Sequence, residues 1–296
     1  MEEQTKFGKF HDKFYKHLLL IPAIILILGF GYIYYFYSVH GDFISKDISL
    51  TGGTTITLYS NFDVTLLKQD LSKSLENLNI RSIYDLTTNE QKAVIIETTS
   101  NGEIVKEILE KYLDYQLTED NSSFEFTGST LSQSFYRQLL FAILLAFIFM
   151  SIVVFIIFRT FVPSIAVMIS AFADIFMTLI VVDLLGLKVS SASIVAFLML
   201  IGYSVDTDIL LTTRMLKRSE GSLNDRIFSA FKTGMTMSLT SFLGVLFALL
   251  VVRSFSPVLT QIFSILTIGL IFDIFNTWIT NASILKWHLD KHETHI

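Results

Sequence analysis

Six long apolar stretches constrain this chain more than any other feature of its sequence. They run approximately from Leu18 to Tyr37, Leu139 to Phe158, Pro163 to Leu184, Val189 to Leu211, Gly234 to Val252 and Pro257 to Leu285. A helix needs about 20 apolar residues to cross the hydrocarbon core, where no water is present to satisfy backbone polar groups. The pattern therefore predicts six membrane-spanning helices. The mean hydropathy of +0.57, with 17% charged residues in 296, agrees. The chain has no cysteine, so neither a disulfide nor a thiolate metal site is available to it.

The first stretch follows Lys6, Lys9, Lys13 and Lys16, as a signal peptide would. It is long, however, aromatic at its outer end (Tyr32, Tyr34, Tyr35, Tyr37) and lacks a small-x-small cleavage site, so it reads as an uncleaved helix. Orientation follows from the basic residues near helix ends. Besides those four lysines, Arg159, Arg214, Lys217, Arg218, Arg226, Lys232, Lys286 and Lys291 fall on one side. The opposite short loops carry only Lys188 and Arg253. This asymmetry puts both termini in the cytoplasm of a multi-pass plasma-membrane protein. The expected division is a cytoplasmic N-terminus (1–17), helix one (18–37), an extracytoplasmic domain (38–137), helices two to six (138–285) and a cytoplasmic tail (286–296).

Between Ser38 and Arg137 stand 8 Lys/Arg and 15 Asp/Glu, a net −7, which leaves +2 for the remainder. An acidic soluble part argues against nucleic acid as a partner. Within it, Thr54 to Tyr59 alternates like a strand, and Val64 to Leu78 has helical apolar spacing behind Asp63 as N-cap. Arg81 to Leu86 and Ala93 to Thr98 read as strands around a Thr88-Asn89-Glu90 turn, followed by a Glu103 to Leu113 helix and a strand at Phe124 to Phe126. This β-α-β-β-α-β order predicts an α+β ferredoxin-like domain attached to an all-α membrane bundle. Nothing in the domain suggests catalysis, a metal or a cofactor; it reads as a binding or mechanical module.

Four carboxylates fall in the membrane stretches: Asp174 in helix three, Asp206 and Asp208 in helix four, and Asp273 in helix six. A charged aspartate at mid-membrane costs about 2.5 to 3.5 kcal/mol on insertion scales, which makes each a candidate for ion or proton handling. The bland alternative is neutral, hydrogen-bonded structural glue. Asp174 and Asp273 lie near their helix midpoints, with Asp206 and Asp208 about 9 and 12 Å toward the cytoplasm. About 200° separates Asp206 from Asp208 around the helix, so the two cannot face one partner. Lys232, at the cytoplasmic start of helix five, is at a depth suited to pairing with Asp208 or to snorkelling toward lipid phosphate. Ser170, Asp174 and Thr178, then Thr233, Thr236, Thr240 and Gly244, then Asp273, Thr277, Thr280 and Asn281, form polar stripes that predict a packed polar interior.

Three segments together resemble the SecD/SecF family of protein-export membrane proteins, on the SecF side and closest to its archaeal members. They are Ser49-Leu50-Thr51-Gly52-Gly53-Thr54 after helix one, Ile201-Gly202-Tyr203-Ser204-Val205-Asp206-Thr207-Asp208 followed by Arg214, and Arg159-Thr160 with the Pro163 to Asp174 run. Gly52, Gly53 and Thr54 match a short glycine motif, in which glycine permits positive φ or close backbone approach. Gly202, Tyr203 and Ser204 match a more specific block before the membrane carboxylates. The resemblance covers essentially the whole chain. It implies one half of an assembly of the resistance-nodulation-division superfamily, with SecD as the other half. The implied partners are a SecY-type channel, emerging secretory polypeptides and membrane lipid, and the implied role is non-enzymatic, export being assisted by the proton-motive force. Bacterial members place Asn-Asp where Asp206-Thr207 stands and arginine where Lys232 stands, so here carboxylates flank the usual position. An independent small-molecule efflux transporter is the alternative. An intramembrane aspartyl protease is a third class, requiring Asp174 or Asp273 to face Asp206.

Overall fold

The structure, a computed structural model, describes residues 15–85, 88, 90–217 and 223–293. Among these, six helical segments are long and apolar enough to cross a membrane: Tyr15–His40, Leu131–Phe158, Phe161–Leu184, Ser191–Leu216, Leu223–Val252 and Pro257–Asp290. Helix α1 (Leu20–His40) ends on Gly41 in the left-handed conformation, and its apolar side chains are mostly exposed to the surroundings. The long helices α5 (Ser129–Phe158), α6 (Phe161–Leu184), α7 (Ser191–Lys217), α8 (Leu223–Val252) and α9 (Pro257–Phe275) follow the soluble domain. Of these, α6 and α7 sit centrally, while α5 and α8 present most of their apolar surface outward.

Between α1 and α5 lie α2 (Ile48–Thr51), β1 (Gly53–Leu58), α3 (Val64–Leu71), β2 (Asn79–Tyr84), β3 (Gln91–Thr98), α4 (Gly102–Leu113) and β4 (Ser122–Thr127). The strands form one antiparallel sheet in the order β2-β3-β1-β4, with Ile56 opposite Ile96 and Phe124. Alternation places Ile56, Leu58, Val94 and Ile96 on one sheet face, where Leu67 and Leu71 of α3 and Val105 and Leu109 of α4 cover them. Each such fully buried aliphatic side chain contributes roughly 1.5 to 3 kcal/mol. The opposite face carries Thr55, Thr57, Arg81 and Glu97 and lies over the ends of the membrane helices at Ser190–Ala192 and Pro257.

Several boundaries differ from the sequence expectation: α8 starts at Leu223 rather than Gly234, β2 starts at Asn79 rather than Arg81, and three further differences have a local cause. Helix α3 stops at Leu71 rather than Leu78, because Ser72 and Ser74 make local turn bonds and Asn77 adopts a left-handed φ of 51°. Leu75 and Leu78 still reach the core from this turn, which is why their spacing looked helical. Helix α5 starts at Ser129, ten residues before the apolar run, so the end of the expected domain is a polar extension of the second spanning helix. Finally, the sixth span is not one regular helix: a π-helical segment, Asn276–Asn281, separates α9 from α10 (Ala282–Glu293). Lys6, Lys9, Lys13, Leu86, Asn89 and Arg218, used in the sequence reading, lie outside the described residues.

The domain is tied to the bundle by its entry segment. Asp47 caps α2 by accepting from the Ile48 N–H at 2.7 Å, while its own N–H donates to the Val189 carbonyl at 2.9 Å, and Val189 N–H donates to Ser45 O at 2.7 Å. Asp183, at the end of α6, accepts from the Tyr32 hydroxyl at 2.7 Å and from the Ser45 N–H at 3.1 Å, joining α1, α6 and the linker. Exchange of Asp183 for alanine is expected to destabilise this junction by about 2 to 3 kcal/mol, the usual cost of removing bonds to a charged acceptor. A lowered midpoint of thermal unfolding in detergent is the readout; Tyr32→Phe should account for part of the loss.

Candidate functional site

Helices α6, α7 and α9 converge on three carboxylates that water does not reach: Asp174 and Asp208 are 0% exposed and Asp273 is 1% exposed. Their partners are neutral hydroxyls and amides. Asn276 Nδ2 donates to Asp174 Oδ1 at 2.8 Å, and the Ser204 hydroxyl donates to Asp174 Oδ2. Asn281 Nδ2 donates to Asp208 Oδ1 at 2.8 Å, and Ser170 Oγ donates to the same oxygen at 3.2 Å. Thr277 Oγ1 donates to Asp273 Oδ1 at 3.4 Å, and Thr280 Oγ1 orients the Asn276 amide through its oxygen at 2.8 Å.

The π-helical segment makes this geometry. It carries Asn276, Thr277, Thr280 and Asn281, all buried, and its wider turn brings Asn276 to Asp174 on α6 while Asn281 reaches Asp208 on α7. Such segments recur at functional sites because they re-aim side chains at a local energetic cost. Each carboxylate also lies within electrostatic reach of another, Asp174 of Asp208, Asp208 of Asp273, and Asp273 of Asp174. No Lys, Arg or His forms an ion pair with any of them among the described residues. Asp208 Oδ2 and Asn281 Oδ1 are both buried acceptors without a donor. A buried, unpaired carboxylate charge is costly, and among the described residues no cation offsets that cost here.

On helix four, the roughly 200° between Asp206 and Asp208 puts the two side chains in different surroundings. Asp208 points into the cluster, whereas Asp206 is exposed, together with Gly202 and Tyr203, and Ser204 turns inward to Asp174. Lys232 is exposed and does not pair with the buried Asp208. The stripe on α8 departs from expectation: Thr236, Thr240 and Gly244 face outward in line with Lys232. Thr236 donates back to the Lys232 carbonyl, Thr240 to that of Thr236, and Ser238 is the inward residue that meets Thr207 at 3.4 Å. By contrast Ser170, Asp174 and Thr178 are buried as a stripe. Asn276 is the member of the site that the sequence reading passed over. A mid-membrane amide three residues after an aspartate was the available clue.

Gly52 and Gly53 serve a different junction. Gly52 has φ +84°, and a Cβ there would lie 2.5 Å from Ser129 Cα. Gly53 has φ +148°, and a Cβ would collide with the Thr98 carbonyl oxygen. Thr54 Oγ1 donates to Ser100 O at 2.8 Å. The motif thus packs the start of β1 against both β3 and the first turn of α5.

These features define a multi-pass membrane protein with a small α+β domain and an enclosed polar centre. The family described as "Protein export membrane protein SecD/SecF, C-terminal" matches residues 105–291. The protein-export membrane protein SecF of Methanocaldococcus jannaschii is 40% identical over 287 residues, covering 95% of this chain and 98% of that protein. SecF of Pyrococcus furiosus is 36% identical over 282 residues, covering 94% and 92%. Among solved structures, that of SecDF from Thermus thermophilus, described as a translocon-associated membrane protein, superposes with a TM-score of 0.72 at 17% identity. It covers 97% of this chain, which spans 39% of the SecDF chain. The chain belongs to the SecF family and has the SecF-type accessory role in protein export.

Proposed function

We propose that this chain forms one half of a membrane assembly with a SecD protein, and that Asp174, Asp208 and Asp273 couple an ion gradient, most simply of protons, to export of unfolded polypeptides through a SecY-type channel. The observation that carries this reading is three carboxylates buried together with neutral partners and, among the described residues, no cation. Gaining or losing a proton there changes the charge of a water-free site, which biases the packing of α6, α7 and the π-helical segment between two arrangements. The motion passes outward to the domain through the linker bonds at Asp183, Ser45 and Asp47. The chain is non-enzymatic in this reading. The pairing with Asp206 expected of an aspartyl protease is not formed, since Asp206 is exposed away from the other carboxylates, and the three carboxylates that do converge are closed to the water such chemistry consumes.

The domain lies outside the cytoplasm with both termini inside, as the basic residues favour. Its four-stranded order β2-β3-β1-β4 with both helices on one face supports a ferredoxin-like sandwich. The exposed positions Tyr203, Asp206, Lys232, Thr236 and Thr240 form the surface that SecD covers, since an outward polar stripe on membrane helices is costly against lipid. The cysteine-free sequence makes the test direct. A single cysteine replacing Asp206 or Thr240 should crosslink to SecD in native membranes, and one replacing the lipid-type residue Phe149 of α5 should not. Equal crosslinking from all three, or none from Asp206 and Thr240, would overturn the assignment of this face.

A further inference from the structure

A cavity of about 480 Å³ opens where the α+β domain meets the ends of the membrane helices. Three cationic side chains line it, Arg81 from β2, Lys188 from the α6–α7 loop and Arg253 from the α8–α9 loop, and no carboxylate does. Arg81 comes from the domain of net charge −7, while Lys188 and Arg253 come from the membrane-helix loops that face it. Ser193, Thr260 and Gln261 complete the wall, each already hydrogen-bonded within the protein, to Ser190, the Ser256 carbonyl, and Ser190 with Asp47 respectively, which leaves the cationic groups as the donors for a ligand. Arg81 pairs with Glu97, but its buried Nε–H has no acceptor. Lys188 and Arg253 form no ion pair among the described residues. The volume falls within the range of small-ligand sites, and the lining calls for an anion.

The position says which anion. Helix α6 has 24 residues, about 36 Å of rise, slightly more than the roughly 30 Å hydrocarbon core, so its end at Leu184 lies at headgroup level. Next to the cavity, Leu184, Leu185 and Val258 are 62%, 61% and 55% exposed, offering apolar contact for acyl chains that a free anion does not need. We infer that this cavity is a binding site for the phosphate headgroup of an anionic phospholipid from the leaflet facing the α+β domain, held by Lys188, Arg253 and Arg81. Because Tyr84 N–H of β2 donates to the Ser254 carbonyl at 3.0 Å beside the cavity, a bound headgroup would join the domain to the α8–α9 loop. This inference does not depend on the carboxylate cluster.

The test uses the full-length protein purified in mild detergent and titrated with phosphatidylglycerol, phosphatidylcholine or inorganic phosphate, with binding followed by native mass spectrometry and thermal unfolding. Phosphatidylglycerol should be retained and should raise the unfolding midpoint, while phosphatidylcholine and phosphate should not. The Lys188→Gln/Arg253→Gln double variant should bind phosphatidylglycerol about thirtyfold more weakly, at about fivefold per basic residue near a membrane surface. A Lys188→Arg variant should bind normally, and both should unfold like the parent without lipid. Equal binding of the two lipids, or an unaltered double variant, would overturn the site. A shift of the same size with inorganic phosphate alone would overturn the lipid as its source.

Discussion

An Asp208→Asn chain is expected to fold as well as the parent or slightly better, yet to lose gradient-driven export by about tenfold or more, a factor worth about 1.4 kcal/mol in coupling. The two halves of this expectation come from the same geometry. Asparagine is isosteric with aspartate and removes a costly buried charge. Its amide nitrogen would also replace Asp208 Oδ2, a buried acceptor that has no donor. Folding therefore gains while the group able to exchange a proton is gone. Asp174→Asn should act in the same direction, with less relief because both Asp174 oxygens already accept bonds, from Asn276 and Ser204. Asp206→Asn, at an exposed position, should leave the export rate within about twofold, any change coming from contact with SecD. Export of a secretory precursor into membrane vesicles bearing a proton gradient, paired with thermal unfolding of each purified variant, separates these outcomes. A structural-glue role for Asp208 would lower stability and export together.

The second large effect is on stability. Gly53→Val is expected to destabilise the domain and its junction by about 3 to 5 kcal/mol, combining backbone strain of roughly 1 to 3 kcal/mol with an overpacking cost of similar size. At φ +148° an L side chain is strained, and its Cβ collides with the backbone carbonyl of Thr98, which cannot move without breaking the β1–β3 ladder. Gly52→Val should behave similarly against the first residue of α5. Gly244→Val is the control, because a Cβ there meets nothing within 4 Å. Limited proteolysis of the domain, followed at increasing temperature, should show early cleavage for the Gly53 variant and parental behaviour for the Gly244 variant. Early loss at Gly244 alone would contradict the packing role given to the motif.

Much of the architecture was legible in the sequence because the bilayer imposes a simple rule. Twenty apolar residues in a row have few alternatives to a spanning helix, and strands such as Gly53–Leu58 reveal themselves by alternation. The separation of Asp206 from Asp208 was legible too, since helical angle depends on numbering alone. What could not be read was which distant helices meet. That Asp174, Asp208 and Asp273 converge depends on the packing of α6, α7 and α9, and that Asn276 and Asn281 serve different carboxylates depends on the π-helical turn, which has no period in the sequence. The outward stripe at Thr236 and Thr240 failed as a burial signal for a related reason. Its hydroxyls donate to the preceding turn, so no partner from within this chain is required to hold them. Helix α2 and the polar start of α5 escaped because both are set by docking to the bundle rather than by local propensity.

The claim that the interior of this chain couples an ion gradient to export is tested most directly by measuring export rate against imposed proton gradient in vesicles containing SecD. The parent chain should show a rate that rises with the gradient. The Asp174→Asn/Asp208→Asn double variant, folded and bound to SecD, should show a low rate independent of it. A double variant that keeps the parental dependence on the gradient would contradict the account.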